Sequence, residues 1–295
     1  MITNFIKKCK DSNGELSTIL VLDSGVPNIS DLREKILLDK TINFFKSPYY
    51  EKYCYNKSYV FKKKIYKFEK EDDNDNYDHQ TNIHSIISSS YLGTSINSKI
   101  ICGKIINKHG KAPLELILEG LIYANIIKPD IVNISNGYSI EDLGKSNEYR
   151  IHDMIQNEII KLHQNNIIVV ASKKNIDVGF YPADFKEVIS VIEYKKHKSN
   201  YGDVVYNKLN FVVNTNYKSF NIKSGSSFMT AFISGIISNY ITTIKKEGNK
   251  VDINYIKKML SQDDNQLDKL YCPSINLTEM SPERINNIIK DYANN

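Results

Sequence analysis

Short apolar runs rich in β-branched residues recur along the chain and are separated by longer segments with helical periodicity. Five runs have this character, at residues 17–23, 99–106, 131–135, 167–172 and 188–192. Strands that are apolar at nearly every position are buried on both faces, which is typical of parallel sheets. The pattern therefore predicts a parallel sheet built from at least these five strands.

Helical segments lie between and after these strands. They are predicted at residues 83–91, 113–127, 149–164, 227–244, 251–260 and 282–292. Alternation of strand and helix with right-handed crossovers predicts an α/β fold, a doubly wound and mostly parallel sheet flanked by helices. We expect one domain over residues 1–295, with a core at about 15–262 and a C-terminal helical extension at 263–295.

Composition narrows the class of protein. The 295 residues are 41% hydrophobic and 25% charged, which excludes wholesale disorder. The net charge is only +5, and no basic block alternates with aromatic residues, so no nucleic-acid partner is expected. Four scattered cysteines indicate neither a zinc site nor a disulfide framework.

No signal segment or apolar run of roughly 20 residues is evident, so we expect a cytoplasmic protein that does not enter a membrane. The sequence leaves the oligomeric state unknown.

An acidic run at residues 71–78, EDDNDNYD, raises the question of a calcium site. It lacks the glycine and the closing glutamate of an EF-hand loop. A solvated loop is the favoured interpretation, so no metal or cofactor is predicted, and a structural calcium ion stays an open alternative.

Four polar residues stand where predicted strands end or helices begin, namely Asp23, His79, Asn175 and Ser227. Each has an ordinary explanation by itself, such as a turn, a cap or a strand exit. Together they supply what acyl transfer needs, because a serine hydroxyl requires an imidazole base, a carboxylate to orient that base and donors for the oxyanion.

The order of these residues and their flanking motifs resemble the subtilisin-like serine proteases. VLDSGV is similar to the family's Asp motif, HQTNIHSII to its His-Gly-Thr-His-Val-Ala-Gly motif, and SGSSFMTAFISG to its Gly-Thr-Ser-Met-Ala motif. The resemblance implies an Asp-His-Ser triad of Asp23, His79 and Ser227. IIVVASKKN resembles the strand that ends in Gly-Asn, which places Asn175 in the oxyanion hole.

Two further segments extend the resemblance. IVNISNG is similar to the family's strand that pairs with substrate, implying substrate binding by Ser135, Asn136 and Gly137. GFYPADFKEVISV is similar to the segment that closes the specificity pocket, where Phe180 would form a shallow floor and favour small residues before the cleaved bond. Lys173 and Lys174 would favour acidic groups nearby.

The sequence also departs from the family pattern. Gln80, Lys174 and Ala231 replace family glycine, glycine and proline, and Asn82 replaces a second histidine. The resemblance implies a serine endopeptidase acting on a narrow set of peptide or protein precursors. An inactive relative that binds peptides is the alternative, and a nucleotide-binding α/β protein ranks third because DSGVPN at residues 23–28 is poor in glycine.

Overall fold

The computed structural model describes residues 17–46, 72–90, 93–144, 146–174, 178–193, 210–213 and 225–261. Within these residues the chain alternates between strands and helices, as the apolar pattern predicts. The strands are β1 Thr18–Asp23, β2 Ile42–Asn43, β3 Lys99–Lys104, β4 Ile131–Ile134, β5 Tyr138–Ser139, β6 Ile168–Lys173, β7 Phe180–Tyr181, β8 Ile189–Glu193 and β9 Asn210–Val213.

Seven of these strands form one parallel sheet in the order β2-β3-β1-β4-β6-β8-β9. The strand order runs outward from β1 in both directions, which is the doubly wound arrangement that the sequence predicts. β5 and β7 form a separate antiparallel pair with Tyr138 opposite Tyr181. The predicted fold class is confirmed.

Helices cover the sheet on both faces. They are α1 Ser30–Arg33, α2 His79–Ser88, α3 Leu114–Ile127, α4 Ser146–Gln164, α5 Ser226–Lys246 and α6 Ile253–Ser261. Two short 3₁₀ segments occur at Leu38–Lys40 and Ile140–Asp142. The helices divide between the two faces because each strand presents alternate side chains to opposite sides.

This alternation is visible along β1. Ile19 and Val21 belong to one hydrophobic cluster, which also contains buried residues of α2, α5 and α6. Leu20 and Leu22 belong to the other, which contains buried residues of α3 and α4. Burial on both faces explains why the strand sequences are apolar at nearly every position.

The five strands predicted from sequence are present, with ends that differ by no more than two residues. The helix predicted at 83–91 is displaced, since α2 begins at His79 and ends at Ser88. Its first turn is polar and carries no apolar signal, and the Asp75 carboxylate accepts a hydrogen bond from the Thr81 amide of that turn. The prediction at 282–292 and the extension at 263–295 lie outside the described residues.

α5 is the most buried helix of the described chain by the number of its buried residues, and its 21 residues would be long and apolar enough to cross a bilayer. In this structure 78% of its apolar window is buried within the protein, which is the environment of a central core helix. Its first residues lie at the carboxyl ends of the strands, where the polar residues of interest also lie.

Candidate active site

Asp23 is the last residue of β1, and its carboxylate is completely buried. Its Oδ1 accepts a hydrogen bond from the backbone N–H of Ser24 at 2.8 Å. His79, the first residue of α2, places Nδ1 at 2.8 Å from Oδ1 and 2.9 Å from Oδ2 of Asp23. A buried carboxylate at this distance holds Nδ1 as the protonated nitrogen, which leaves Nε2 as the basic nitrogen of the neutral ring.

The imidazole of His79 contacts two aromatic rings and is 20% exposed. The Phe228 ring centroid is 5.8 Å from that of His79, and the Tyr77 centroid is 6.2 Å away. Phe228 directly follows Ser227, so this contact brings the start of α5 beside the histidine. Tyr77 is 46% exposed.

Ser227 is the second residue of α5. Its hydroxyl donates to the backbone carbonyl oxygen of Ser135 at 2.9 Å, just beyond the end of β4. The Ser135 hydroxyl in turn lies 3.2 Å from the Ser227 carbonyl oxygen and 3.0 Å from Oδ1 of Asn133. Because Asn133 Nδ2 donates to Ser234 Oγ, a buried polar chain joins β4 to α5 at the predicted nucleophile.

The predicted substrate-binding segment, residues 135–137, leaves β4 without regular secondary structure, and its first residue, Ser135, is buried. Asn136 and Gly137 are partly exposed, and the Gly137 amide donates to Oδ1 of Asn136 at 2.6 Å. A Cβ atom on Gly137 would lie 2.5 Å from both the Phe180 ring and the Tyr181 carbonyl oxygen. Glycine at 137 therefore permits the close approach of this segment to β7.

Phe180 is 3% exposed and packs directly against Gly137. Its backbone N–H donates to Oδ2 of Asp184 at 2.7 Å, and Asp184 Oδ1 accepts from Lys173 at 2.6 Å. Lys173 is therefore held in an ion pair, whereas exposed Lys174 places its ammonium 5.2 Å from the Phe180 ring centroid. The Phe180 ring fills space that a smaller residue would leave open.

An aromatic cluster packs around Tyr181, the residue that follows Phe180. The hydroxyl of Tyr138 lies 3.0 Å from Nδ1 of His152 on α4, and His152 also packs against Tyr181 and Phe185. Burial lowers the pKa of His152, and burial raises the pKa of Tyr138. Both groups are therefore neutral near pH 7 and act as packing residues with one shared hydrogen bond.

Gln80, which replaces glycine beside the predicted base, points into the protein. It is fully buried, and its Nε2 lies 3.5 Å from the sulfur of Cys102. Its Oε1 has no hydrogen-bond partner among the residues that the structure describes. The added side chain thus occupies the core beside β3 and does not crowd the exposed edge of His79.

The acidic segment 72–78 lies against the residues that follow β1. The backbone N–H of Val26 donates to the Asp73 carbonyl, and that of Asp75 donates to Val26. Gly25 has φ +134°, and a Cβ there would lie 2.5 Å from the Asn74 carbonyl oxygen. Lys104, whose side chain is only 2% exposed, donates to that same carbonyl oxygen at 2.8 Å.

Neighbouring side chains donate hydrogen bonds to the carboxylates of Asp72 and Asp73 in this segment. Asn43 and Lys46 donate to Asp73, and these two contacts lower its pKa. A hydrogen bond from Asn76 lowers the pKa of Asp72. No cluster of three or more His, Cys, Asp or Glu side chains with metal-binding geometry occurs within the described ranges.

Two residues of the site, Ser24 and Asp75, were not predicted from the sequence. The carboxylate of Asp75 accepts from the Ser24 hydroxyl and from Thr81, which connects the residue after Asp23 to the first turn of α2. The available signal was the position of Ser24 next to Asp23 and of Asp75 four residues before His79. Asn175, the predicted oxyanion residue, lies outside the described residues.

Comparison with known proteins gives one family and several similar structures. The sequence model described as the Subtilase family matches residues 14–260. The structure of an epidermin leader peptide processing serine protease from Staphylococcus aureus is 17% identical with a TM-score of 0.56. That alignment covers 78% of this chain and 66% of the other, so this chain spans just under two thirds of that protein.

Two other solved structures have similar folds. A lanthipeptide protease is 14% identical with a TM-score of 0.64, over 87% of this chain and 83% of the other. A prenylagaramide maturation protease, PagA, is 16% identical with a TM-score of 0.56, over 97% of each chain. No curated protein sequence matches this chain.

Proposed function

This chain belongs to the subtilase family of serine proteases, and on that basis we propose that it is an active serine endopeptidase with Ser227 as its nucleophile. The observation that carries the proposal is the contact of 2.8 Å between the buried Asp23 carboxylate and Nδ1 of His79. A carboxylate in this position orients the imidazole and stabilises the imidazolium that forms when the ring takes a proton.

In the proposed reaction, the Ser227 hydroxyl turns from the Ser135 carbonyl oxygen toward Nε2 of His79. The contact between Phe228 and the His79 ring, which brings the start of α5 beside the histidine, supports a rotation of the Ser227 side chain about χ1 as this movement. Oγ of Ser227 then attacks the peptide carbonyl carbon while His79 takes its proton. The histidine next gives that proton to the leaving amine, and water releases the acyl group by the same steps.

The developing oxyanion needs donors that are already in place. We assign one to the backbone N–H of Ser227, which lies in the first turn of α5, where amide groups lack partners within the helix. The family resemblance assigns the other to the Asn175 side chain. The segment 135–137 would bind the substrate backbone before the cleaved bond.

We further propose that the substrates are a narrow set of peptide or protein precursors with small residues before the cleaved bond. Two of the similar structures are described as a leader peptide processing protease and a maturation protease, which supports precursor processing. The buried Phe180 ring against Gly137 supports a shallow pocket. A pocket of this kind excludes large side chains by steric overlap.

Labelling with a fluorophosphonate probe tests the activity directly, because only an activated serine reacts with it. We expect wild-type protein to be labelled at Ser227 and the His79→Ala variant to be labelled far more slowly. Equal labelling of both proteins would contradict a His79-activated nucleophile. A folded wild-type protein that stays unlabelled and cleaves no peptide would favour the inactive, peptide-binding alternative.

A further inference from the structure

Asp75 makes a set of short contacts that join the two sides of the Asp23–His79 pair. Its Oδ1 accepts from the Ser24 hydroxyl at 2.6 Å. Its Oδ2 accepts from the Thr81 backbone N–H at 2.7 Å and from the Thr81 hydroxyl at 2.6 Å. One carboxylate thus holds both the residue that follows Asp23 and the first turn of the helix that begins with His79.

Ser24 stands between the two carboxylates. Its Oγ is 2.6 Å from Oδ1 of Asp75 and 3.0 Å from Oδ1 of Asp23, and it accepts from the backbone N–H of Gln80 at 2.9 Å. A hydroxyl has one proton to donate, and the shorter contact identifies Asp75 as its acceptor. The Ser24 proton is therefore directed away from Asp23, which keeps Asp23 free to bind His79.

We propose that Asp75 is a positioning residue for the Asp23–His79 pair, acting through Ser24 and Thr81; the inference rests on the proposed function. It has two effects. Geometrically, it holds the end of β1 and the start of α2 in one register. Electrostatically, its negative charge contacts the residue after Asp23 and the second residue after His79, and it stabilises the imidazolium of His79.

Replacing Asp75 with asparagine would reverse the direction of the hydrogen bond between residue 75 and Ser24. The Thr81 backbone N–H can only donate and makes the shorter contact, so the asparagine presents its oxygen there and its NH₂ to Ser24. This orientation gives up the 3.3 Å contact from the Tyr77 backbone N–H to Oδ1. Ser24 Oγ would then accept from the amide and donate its proton to Asp23. This extra donor and the lost negative charge both weaken the hold of Asp23 on a protonated His79.

The decisive measurement is the pH at which His79 takes up a proton. Asp23 and Tyr77 are titratable groups that the structure places against the imidazole, and both are unchanged in the Asp75→Asn variant. We expect the midpoint of His79 protonation, followed by NMR in the full-length protein, to fall by about half a pH unit or more. We also expect the acid limb of the pH profile of kcat/KM to shift to lower pH by the same amount. The value of kcat should fall by no more than about tenfold, and KM should change little.

Asp78→Asn is the matched control. Asp78 precedes His79 directly, is exposed, and makes no side-chain capping bond in its left-handed conformation at φ 60°. Asparagine tolerates that conformation, so this variant removes the charge of the residue next to His79 in the chain without touching the Asp75 hydrogen bonds. An Asp75→Asn midpoint equal to that of wild type, or an equal shift in Asp78→Asn, would overturn the proposal.

Ser24→Ala provides a second test if Asp75→Asn does not fold. It removes the link to Asp23 but leaves the Asp75–Thr81 contacts that hold the helix start. We expect kcat to fall at least about threefold with KM unchanged, and wild-type kcat in this variant would overturn the proposal. Because the NMR titration needs no turnover, a wild-type protein without protease activity would refute the proposed function and still leave the Asp75 effect measurable.

Discussion

The hydroxyl of Ser227 donates to the carbonyl oxygen of Ser135, and the hydroxyl of Ser135 lies 3.2 Å from the carbonyl oxygen of Ser227. These two serines are 92 residues apart in the chain, so the reciprocal contact fixes the start of α5 against the exit of β4. The predicted nucleophile is thereby held against residues 135–137, the segment predicted to bind substrate. We expect the proposed cleavage to require the Ser227 hydroxyl.

Removal of the Ser227 hydroxyl tests that expectation. We expect Ser227→Ala to lower kcat/KM for peptide cleavage by at least about 10⁴-fold, because the nucleophile is lost while binding groups stay. Stability should change little, since a partly exposed hydroxyl with one hydrogen bond is removed. Ser226→Ala, at the neighbouring position of the same helix turn, should retain activity. Undiminished cleavage by Ser227→Ala would contradict the assignment.

Enlargement of the pocket tests the role of Phe180. We expect Phe180→Ala to raise kcat/KM for substrates with phenylalanine before the cleaved bond, relative to alanine, by about tenfold or more. Peptide-library profiling measures this ratio. The variant should also lose about 3–5 kcal/mol of unfolding free energy, because a buried aromatic ring is removed.

Phe185→Ala is the control for the Phe180 experiment. Phe185 is similarly buried, at 5% exposed, and its ring packs against Tyr181 and His152. We expect a comparable loss of stability without the change in preference. A variant Phe180→Ala that still rejects large residues would show that another group limits the pocket.

Acid should destabilise the protein through His84. This histidine is fully buried, and neither ring nitrogen has a hydrogen-bond partner within the described part of the chain. Burial, with a smaller contribution from Lys35, lowers its pKa from 6.5 to about 3. The unfolded chain therefore binds a proton that the folded protein does not, and stability is lost as pH falls below about 6.5.

The expected loss from His84 is on the order of 2 kcal/mol between pH 7 and pH 5. Glu119, whose pKa burial raises to about 8, acts in the opposite direction over this range, so variants must be compared with wild type. Urea unfolding at both pH values measures this loss. In His84→Leu the unfolding free energy should no longer fall by this amount between pH 7 and pH 5, whereas His109→Leu, at an exposed site, should show the same fall as wild type. A pH dependence unchanged in His84→Leu would contradict the prediction.

A methyl group at Gly25 should disturb the site from a distance. The backbone there has φ +134°, and the added Cβ would lie 2.5 Å from the Asn74 carbonyl oxygen. We expect Gly25→Ala to lower the unfolding free energy by at least about 2 kcal/mol, because both strain and overlap arise. Activity should fall as segment 72–78 is displaced from His79.

Gly144→Ala is the matched control for this substitution. No atom lies within 4 Å of a Cβ built at Gly144, and its φ is not in the left-handed region. Thermal unfolding and peptide cleavage should both match wild type in this variant. Equal effects of the two substitutions would show that the loss of glycine itself, and not the contact with Asn74, is responsible.

The sequence predicts the parallel sheet well because each strand can be recognised from its own residues. Strands such as Thr18–Asp23 are buried on both faces, so each one is apolar by itself. Two-residue strands such as Ile42–Asn43 are too short for any periodicity to reveal them. The start of α2 was misplaced for a related reason, since the residues of its first turn are polar.

The predicted site depends on which contacts the fold creates. Asp23, His79 and Ser227 could be proposed because motifs mark them, and the structure joins the first two directly. Ser24 and Asp75 could not, because their contact requires the pairing of Val26 with Asn74 across a gap of more than 40 residues. The roles of Asn175, the domain limits and the cytoplasmic location stay predictions.

The position of α5 in the chain has a consequence for biosynthesis. Asp23 and His79 are made early, whereas α5 supplies Ser227 and much of one hydrophobic cluster that covers β1, β4, β6 and β8. A growing polypeptide that ends before α5 would expose that face of the sheet to water and would lack the proposed nucleophile. The proposed peptidase activity can therefore arise only after translation has passed this helix.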